Sequence, residues 1–197
     1  MAGGGYRAQR PGGDRVQEPD PEVIRAAAAH DVDAFDAIVR AYQPQVWRFL
    51  RHYLGDDTLA EDVTQETFIR VYRRLHTFRF RSKFSTWIMH VARNAGTDEL
   101  RARQRRTRLV QALEPGATTA TTTDASRRVE IDEALAALAA LSPRLRETLL
   151  LVELFGFTYR EAAAALGVPE GTAKRRVFEA RRQLARALRE EGAADAM

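Results

Sequence analysis

Apolar residues in this chain recur three and four positions apart, and no segment shows sustained apolar–polar alternation. Side chains at i, i+3 and i+4 share one face of a helix, whereas a half-buried strand requires a period of two. The spacing therefore predicts helices and no strands. Phe35, Ile38, Val39 and Tyr42 form one stripe, which Pro44 is expected to interrupt. Val46, Trp47, Phe49, Leu50, Tyr53 and Leu54 continue it to Gly55. The periodicity fails over residues 107–128, TRLVQALEPGATTATTTDASRR, a Thr/Ala-rich stretch broken by Pro and Gly that has the composition of a linker. The expected fold class is all-α: two small helical domains joined by a flexible linker. The boundaries read as a disordered tail over 1–20, a first domain over 21–106, the linker over 107–128, a second domain over 129–190 and a short tail over 191–197. Separate apolar stripes predict that the halves fold independently, with variable relative orientation in the free chain unless a partner clamps them.

Helix ends are marked by capping chemistry. Thr58 and Glu61 have the spacing of a capping box, in which hydroxyl and carboxylate each satisfy an orphan backbone N–H. The helix they open carries Val63, Thr67, Val71 and Leu75 on one face, with Asp62, Gln65, Glu66 and Arg73 elsewhere. A helix over about 85–106 is expected to bury Trp87, Ile88, Val91, Ala92 and Ala95, and to show His90, Arg93, Asn94, Thr97, Asp98 and Arg101. In the second half, Ser142-Pro143 starts a helix that Gly156 stops, and Thr158–Glu161 forms a second capping box.

Several functions are excluded at once. With no cysteine there are no disulfides, thiolate metal sites or cysteine nucleophiles, and His30, His52, His76 and His90 lack metal-like spacing. No apolar run is long enough to span a bilayer, and the first twenty residues lack a secretory apolar core. The expectation is a cytoplasmic protein without membrane insertion, metal or cofactor. An enzyme such as a nuclease would need carboxylates clustered with a metal or nucleophile. The dense acids here, Asp56/Asp57 and Glu61/Asp62, are explained by first-turn positions on a helix, so no catalytic residues are assigned.

The net charge of +4 is unevenly spread. Residues 21–69 hold four Arg against nine acids, and residues 70–106 hold eleven basic groups against Asp98 and Glu99 alone. The alternation repeats, with three basic and six acidic groups over 129–169, then seven and two over 170–189. Acidic then basic, twice, suggests a protein partner and a phosphate partner in each half.

The sharpest local pattern is TYREAAAALGVPEGTAKRRVFEARR, residues 158–182. A helix-turn-helix needs a small residue where its helices cross (Ala163), a tight turn (Gly167) and apolar residues packing back (Ala173, Val177). Its outward face, Lys174, Arg175, Phe178, Glu179, Arg181 and Arg182, suits a major groove, and Gly171 and Thr172 are expected to offer free backbone N–H groups to a phosphate. In the first half Phe78, Phe80, Phe84 and Trp87 interleave with Arg79, Arg81, Ser82 and Lys83, as single-stranded DNA with exposed bases requires.

Three motifs in order now carry a resemblance: Ala60-Glu-Asp-Val-Thr-Gln-Glu-Thr-Phe68; Phe84-Ser-Thr-Trp-Ile-Met-His-Val-Ala-Arg-Asn94 with Asp98; and the helix-turn-helix with Gly171-Thr172. The chain resembles the extracytoplasmic-function (ECF) group of bacterial sigma-70-type RNA polymerase sigma factors over about 30–106 and 129–188. The resemblance implies a non-enzymatic factor that carries polymerase core to promoters. It implies core binding by Asp62, Gln65, Glu66 and Arg73 on the clamp coiled coil of the largest subunit, with a further contact to the flap. It assigns −10 strand capture to Arg79, Arg81, Lys83, Phe84, Trp87, Arg93, Asn94, Asp98, Arg101 and Arg105. Reading of the −35 duplex falls to Gly171, Thr172, Lys174, Arg175, Phe178, Glu179 and Arg182. An anti-sigma protein is a further implied partner. The sequence departs from the family at Met89-His90, often an aromatic-basic pair, at Gly96 in mid-helix, and at Glu179 on the reading face. Glu179 either neutralises neighbouring arginines or accepts from a cytosine amino group. The alternative function is an autonomous helix-turn-helix regulator, which would need neither the acidic docking helix nor the aromatic-basic segment.

Overall fold

The computed structural model describes residues 17–113 and 129–194. Among them there are helices and turns and no strand: α1 (Pro21–Ala28), α2 (Val32–Leu54), α3 (Asp57–Arg74), α4 (Phe84–Leu113), α5 (Val129–Ala140), α6 (Pro143–Leu149), α7 (Tyr159–Leu166) and α8 (Glu170–Ala194). Most of the anticipated disordered N-terminal tail, and residues 114–128 of the expected linker, lie outside the described residues.

Aspartates open the first three helices. The Asp20, Asp31 and Asp56 carboxylates accept from the backbone N–H groups of Glu22, Ala34 and Leu59. The capping box expected at Thr58–Glu61 is therefore displaced: Asp56, two residues upstream, caps α3, which is already in its second turn at Glu61. The second box is as read, with Thr158 and Glu161 bonded reciprocally and Gly167 ending α7 at φ 65°. Pro44 does not interrupt α2, which runs 23 residues through it. A proline ring costs an interior helix one hydrogen bond. Here Ile38, Tyr42, Val46 and Phe49, on both sides of it, are all buried in one core, and that burial outweighs the loss. Helix α4 continues to Leu113, so the linker begins later than residue 107, and α8 continues to Ala194 through the start of the expected C-terminal tail.

In the first half, α2, α3 and α4 enclose Tyr42, Phe49, Leu50, Tyr53, Val71, Leu75, Phe84 and Ile88. Helix α4 packs on α2 at Gly96. A Cβ on Gly96 would lie 2.9 Å from Tyr53 Cδ1 and 3.0 Å from Leu50 Cδ2, so the mid-helix glycine is what lets these helices approach.

The two helical domains are packed on each other, contrary to the expected variable orientation. Their apolar residues form one continuous core. The Phe49 ring meets Phe155 at 6.0 Å, and buried Arg146 of α6 donates to the carbonyls of Tyr53 (2.8 Å) and Leu141 (3.1 Å), and also to that of Ala139. Periodicity shows which face of a helix must be buried, but not against what, so this arrangement was not readable from the stripes.

Alanine at position 96 gains about 1 kcal/mol of helix propensity and loses about 1–3 kcal/mol to overpacking against a ring with no room to retreat. Gly96→Ala is expected to lower the thermal midpoint by several degrees, measured by circular dichroism. A raised midpoint would mean that Tyr53 relaxes freely.

Candidate nucleic-acid interface

Three surfaces carry the residues singled out above. On α3, Asp62, Gln65, Glu66 and Arg73 are all exposed. Between them stand Ile69 and Tyr72, exposed apolar residues absent from the sequence-derived set. Spacing was the available signal: Ile69 follows Gln65 by four and Glu66 by three, and Tyr72 follows Ile69 by three. Arg70, also not foreseen, donates to Glu66 Oε1 and Asp98 Oδ2, both at 2.8 Å, tying this surface to α4.

The second surface is the loop after α3 with the outer face of α4. Arg79 and Arg81 are exposed. Phe84 is not: its ring is 1% exposed and packs on Tyr42, Phe78 and Trp87, so it is a core residue rather than a base-stacking one. Trp87 is half-buried between Phe78 and Phe84. The exposed ring of the loop is Phe80, in the left-handed region at φ 54°, against Phe78 at 4.8 Å and beneath the Arg25 guanidinium at 5.4 Å. Met89 is fully buried, so at the first of the two family-divergent positions the side chain belongs to the core. Asp98, Arg101 and Arg105 are exposed.

Lys83, just before α4, and His90 and Arg93 on it reach the second domain. Lys83 Nζ lies 2.6 Å from Glu161 Oε1. His90 Nδ1–H donates to the Ala165 carbonyl at 2.6 Å while its Nε2 accepts from Asn94 Nδ2 at 3.0 Å, a pattern that the neutral Nδ1–H tautomer satisfies. Arg93 grips Glu147 through Nε (2.8 Å) and Nη2 (3.3 Å), and reaches Asn94 Oδ1 through Nη1 (3.1 Å). Glu147 is 1% exposed and also has Arg176 of α8 at 3.5 Å and the Tyr53 hydroxyl at 3.4 Å. The bond to Glu147 raises the Arg93 pKa, keeping the guanidinium charged. Glu147 and Arg176 were not in the sequence-derived set, since among the other charged residues of α6 and α8 neither carries a spacing that marks a contact between domains.

The third surface is α8. Lys174, Arg175, Phe178 and Arg182 are exposed, with Phe178 at 70%. Lys174 pairs with Glu170 at 2.8 Å. Glu179 Oε1 accepts from Gln183 (2.7 Å) and Arg182 (3.0 Å), and these bonds hold its carboxyl below the usual range. Gly171 has open space where a Cβ would stand, so no steric need fixes it. The Thr172 N–H is not free as expected: it donates to the Pro169 carbonyl at 2.9 Å as α8 begins. Among the described residues no cluster of three His, Asp or Glu could hold a metal, and no helix is long and apolar enough to cross a membrane.

Comparison with known proteins accords with these surfaces. The sigma-70 region 2 family matches residues 38–106, and the sigma-70 region 4 family matches residues 131–184. The chain belongs to the ECF group of sigma-70-type RNA polymerase sigma factors. It is 36% identical to the ECF RNA polymerase sigma factor SigC of Mycobacterium tuberculosis, over 82% of this chain and 89% of that one. It is 34% identical to the ECF RNA polymerase sigma factor SigM of Bacillus subtilis, over 81% and 98%. Among solved structures it is similar to the sigma factor RpoE of Bartonella quintana in complex with the anti-sigma factor NepR. That match has a TM-score of 0.67 and 26% identity, covering 80% of this chain and 98% of that one. The chain is thus a transcription factor that directs RNA polymerase to promoters, with the two DNA-binding regions of its family on the two helical domains. A stand-alone regulator is not favoured.

Glu161 supplies a pH signature. Burial raises its carboxyl pKa, but the bonds from Lys83 and Thr158 outweigh burial and leave it lowered. For a depressed acid the stability is present above the unfolded pKa, about 4.3 for Glu, and is lost as pH falls through the native value. Wild type should therefore melt above Glu161→Gln near neutrality, and the gap should close below about pH 4. A gap constant down to pH 3 contradicts the assignment.

Proposed function

We propose that the α3 surface of Asp62, Gln65, Glu66 and Arg73 docks the polymerase clamp, that the 77–83 loop and α4 capture the −10 strand, and that α8 reads the −35 duplex. The observation that carries this reading is the separation of the surfaces by chemistry. Exposed carboxylates with Ile69 and Tyr72 lie on α3, arginines with an exposed ring on the loop, and arginines with Phe178 on α8. Apolar residues amid charge suit a protein partner. An exposed ring beside cations suits unstacked bases, and a basic helix after a tight turn suits a groove. Among the described residues no group of three His, Asp or Glu is set to hold a metal, which fits a factor that works by binding. Unstacking the −10 bases costs a few kcal/mol each, and that cost is offset by binding to the captured base and by the polymerase. The factor works where the polymerase does, in the cytoplasm, and an anti-sigma protein like the one bound to RpoE is a further partner.

Run-off transcription with purified core enzyme tests the reading as a whole. Replacing both Gln65 and Glu66 with Ala should weaken core association at least tenfold while helical content stays constant. Unaltered affinity for core would reject the docking surface.

On α8 the bonds from Glu179 to Arg182 and Gln183 favour the neutralising role. Glu179→Ala should then tighten binding to all −35 sequences about equally and steepen the salt dependence, because one more guanidinium is free for phosphate. Loss of preference at a single base pair, with no general tightening, would assign it a reading role instead.

A further inference from the structure

The first N–H groups of α4 find no acceptor in the residue that leads into them. Lys83 holds the N-cap position, since its carbonyl accepts from the Trp87 N–H at 3.2 Å. An N-cap works through a side-chain acceptor, and an ammonium has none. The acceptor comes instead from 66 positions upstream of Phe84: the Glu18 carboxylate takes the Phe84 N–H at 2.7 Å, and the Ser85 N–H at 3.3 Å.

The same short segment holds the middle of the loop. Pro19 fixes its own φ and Pro21 opens α1, so Glu18 leads into that helix with little freedom. One turn along α1, the Arg25 guanidinium carbon lies 5.4 Å from the centre of the Phe80 ring, a cation–π distance. Phe80 stands at φ 54°, where L side chains rarely settle, and its ring is 45% exposed, so burial alone does not hold it there. A cleft of about 490 Å³, lined by Pro19, Asp20, Ile24, Phe80, Ser82 and Lys83, lies between segment and loop. The two are thus tied at Glu18 and at Arg25, on either side of that cleft.

We propose that Glu18 and Arg25 are positioning residues for strand capture. They hold Phe80 in its strained conformation before DNA arrives, so that an unstacked base meets a ring already in place. A loop ordered in advance spares binding the entropy of ordering it. The idea rests on the assignment of the 77–83 loop to the −10 strand and adds two residues that act through Phe80. For Glu18 the sign of the effect separates positioning from charge. Removing a carboxylate beside a basic loop strengthens DNA binding if charge alone matters, whereas losing the cap loosens the loop and weakens it.

The test uses holoenzyme assembled from the full chain and purified core. Its probe is a fluorescent single strand of about twelve nucleotides, enriched from a randomised pool by the wild-type holoenzyme. Glu18→Ala should weaken binding of that strand about fivefold. Glu18→Gln, whose amide oxygen still accepts, should restore most of the loss, with affinity for core unchanged in both. Arg25→Met should weaken strand binding severalfold at an unchanged salt slope. A slope lower by about 0.7, the share of one phosphate on a single strand, would make Arg25 a backbone contact instead. Phe80→Ala should cost about tenfold. Adding Glu18→Ala to it should cost less than about twofold more, because both act through one ring. Tighter or unchanged binding by Glu18→Ala overturns the proposal, as does a double variant whose losses multiply. Should Glu18→Ala fail to fold, Arg25→Met and its cycle with Phe80→Ala decide by the same criteria. If no strand is enriched, or if Phe80→Ala binds it as wild type does, the loop assignment itself is rejected.

Discussion

The crossing of α2 over α4 at Gly96 sets the position of Tyr53, and through it the contact between the domains. Because no side chain stands at 96, the Tyr53 ring lies against the α4 backbone, stacked on Phe49 at 5.5 Å. From that seat its hydroxyl comes within 3.2 Å of Thr97 Oγ1 and 3.4 Å of Glu147, and its carbonyl accepts from Arg146. Phe49, held by the same stack, presents its edge to Phe155 of the second domain. A helix-propensity argument alone would count Gly96 as a weakness. Its Cβ-free surface is what allows two domains to share a core.

The charged contacts differ greatly in weight. Pairs such as Arg40–Asp36 and Lys174–Glu170 are well exposed, and solvent screens them so that they contribute little. Glu147 with Arg93 and Arg176 is a buried cluster in which each member needs the others, so its loss is far more disruptive than its presence is stabilising. Arg146 is buried too: burial lowers its pKa, and its Nη atoms donate to backbone carbonyls from both domains while its Nε is buried without a partner. An interface built this way is specific in geometry.

Much of this was legible in the chain. The helices, the Thr158–Glu161 box, the Gly55 and Gly167 stops and the exposed α3 and α8 faces follow from spacing and capping rules, which act within a few residues. Where local rules compete, sequence reading erred. Asp56 took the cap from Thr58, and core burial carried α2 through Pro44. Phe84 and Phe80 look equivalent in an aromatic-basic run, but only the tertiary fold decides which ring is buried and which stands out. The domain contact was the least legible feature because periodicity does not say what an apolar face packs on, and because part of the contact is made by polar side chains of α4 that a single helix would leave in water.

The Phe80 loop also bears on where the first domain physically begins. A non-glycine residue at φ 54° costs about 1–2 kcal/mol, and the ring is held there by Phe78 on one side and Arg25 of α1 on the other. Just beyond, the Glu18 carboxylate accepts from the Phe84 and Ser85 N–H groups and so closes the start of α4. Both supports precede residue 38, where similarity to region 2 begins. A fragment trimmed to the region 2 match would lose α1, the first turns of α2 and the buttress of its own loop. The smallest unit that preserves the loop's shape is thus larger than the region 2 match.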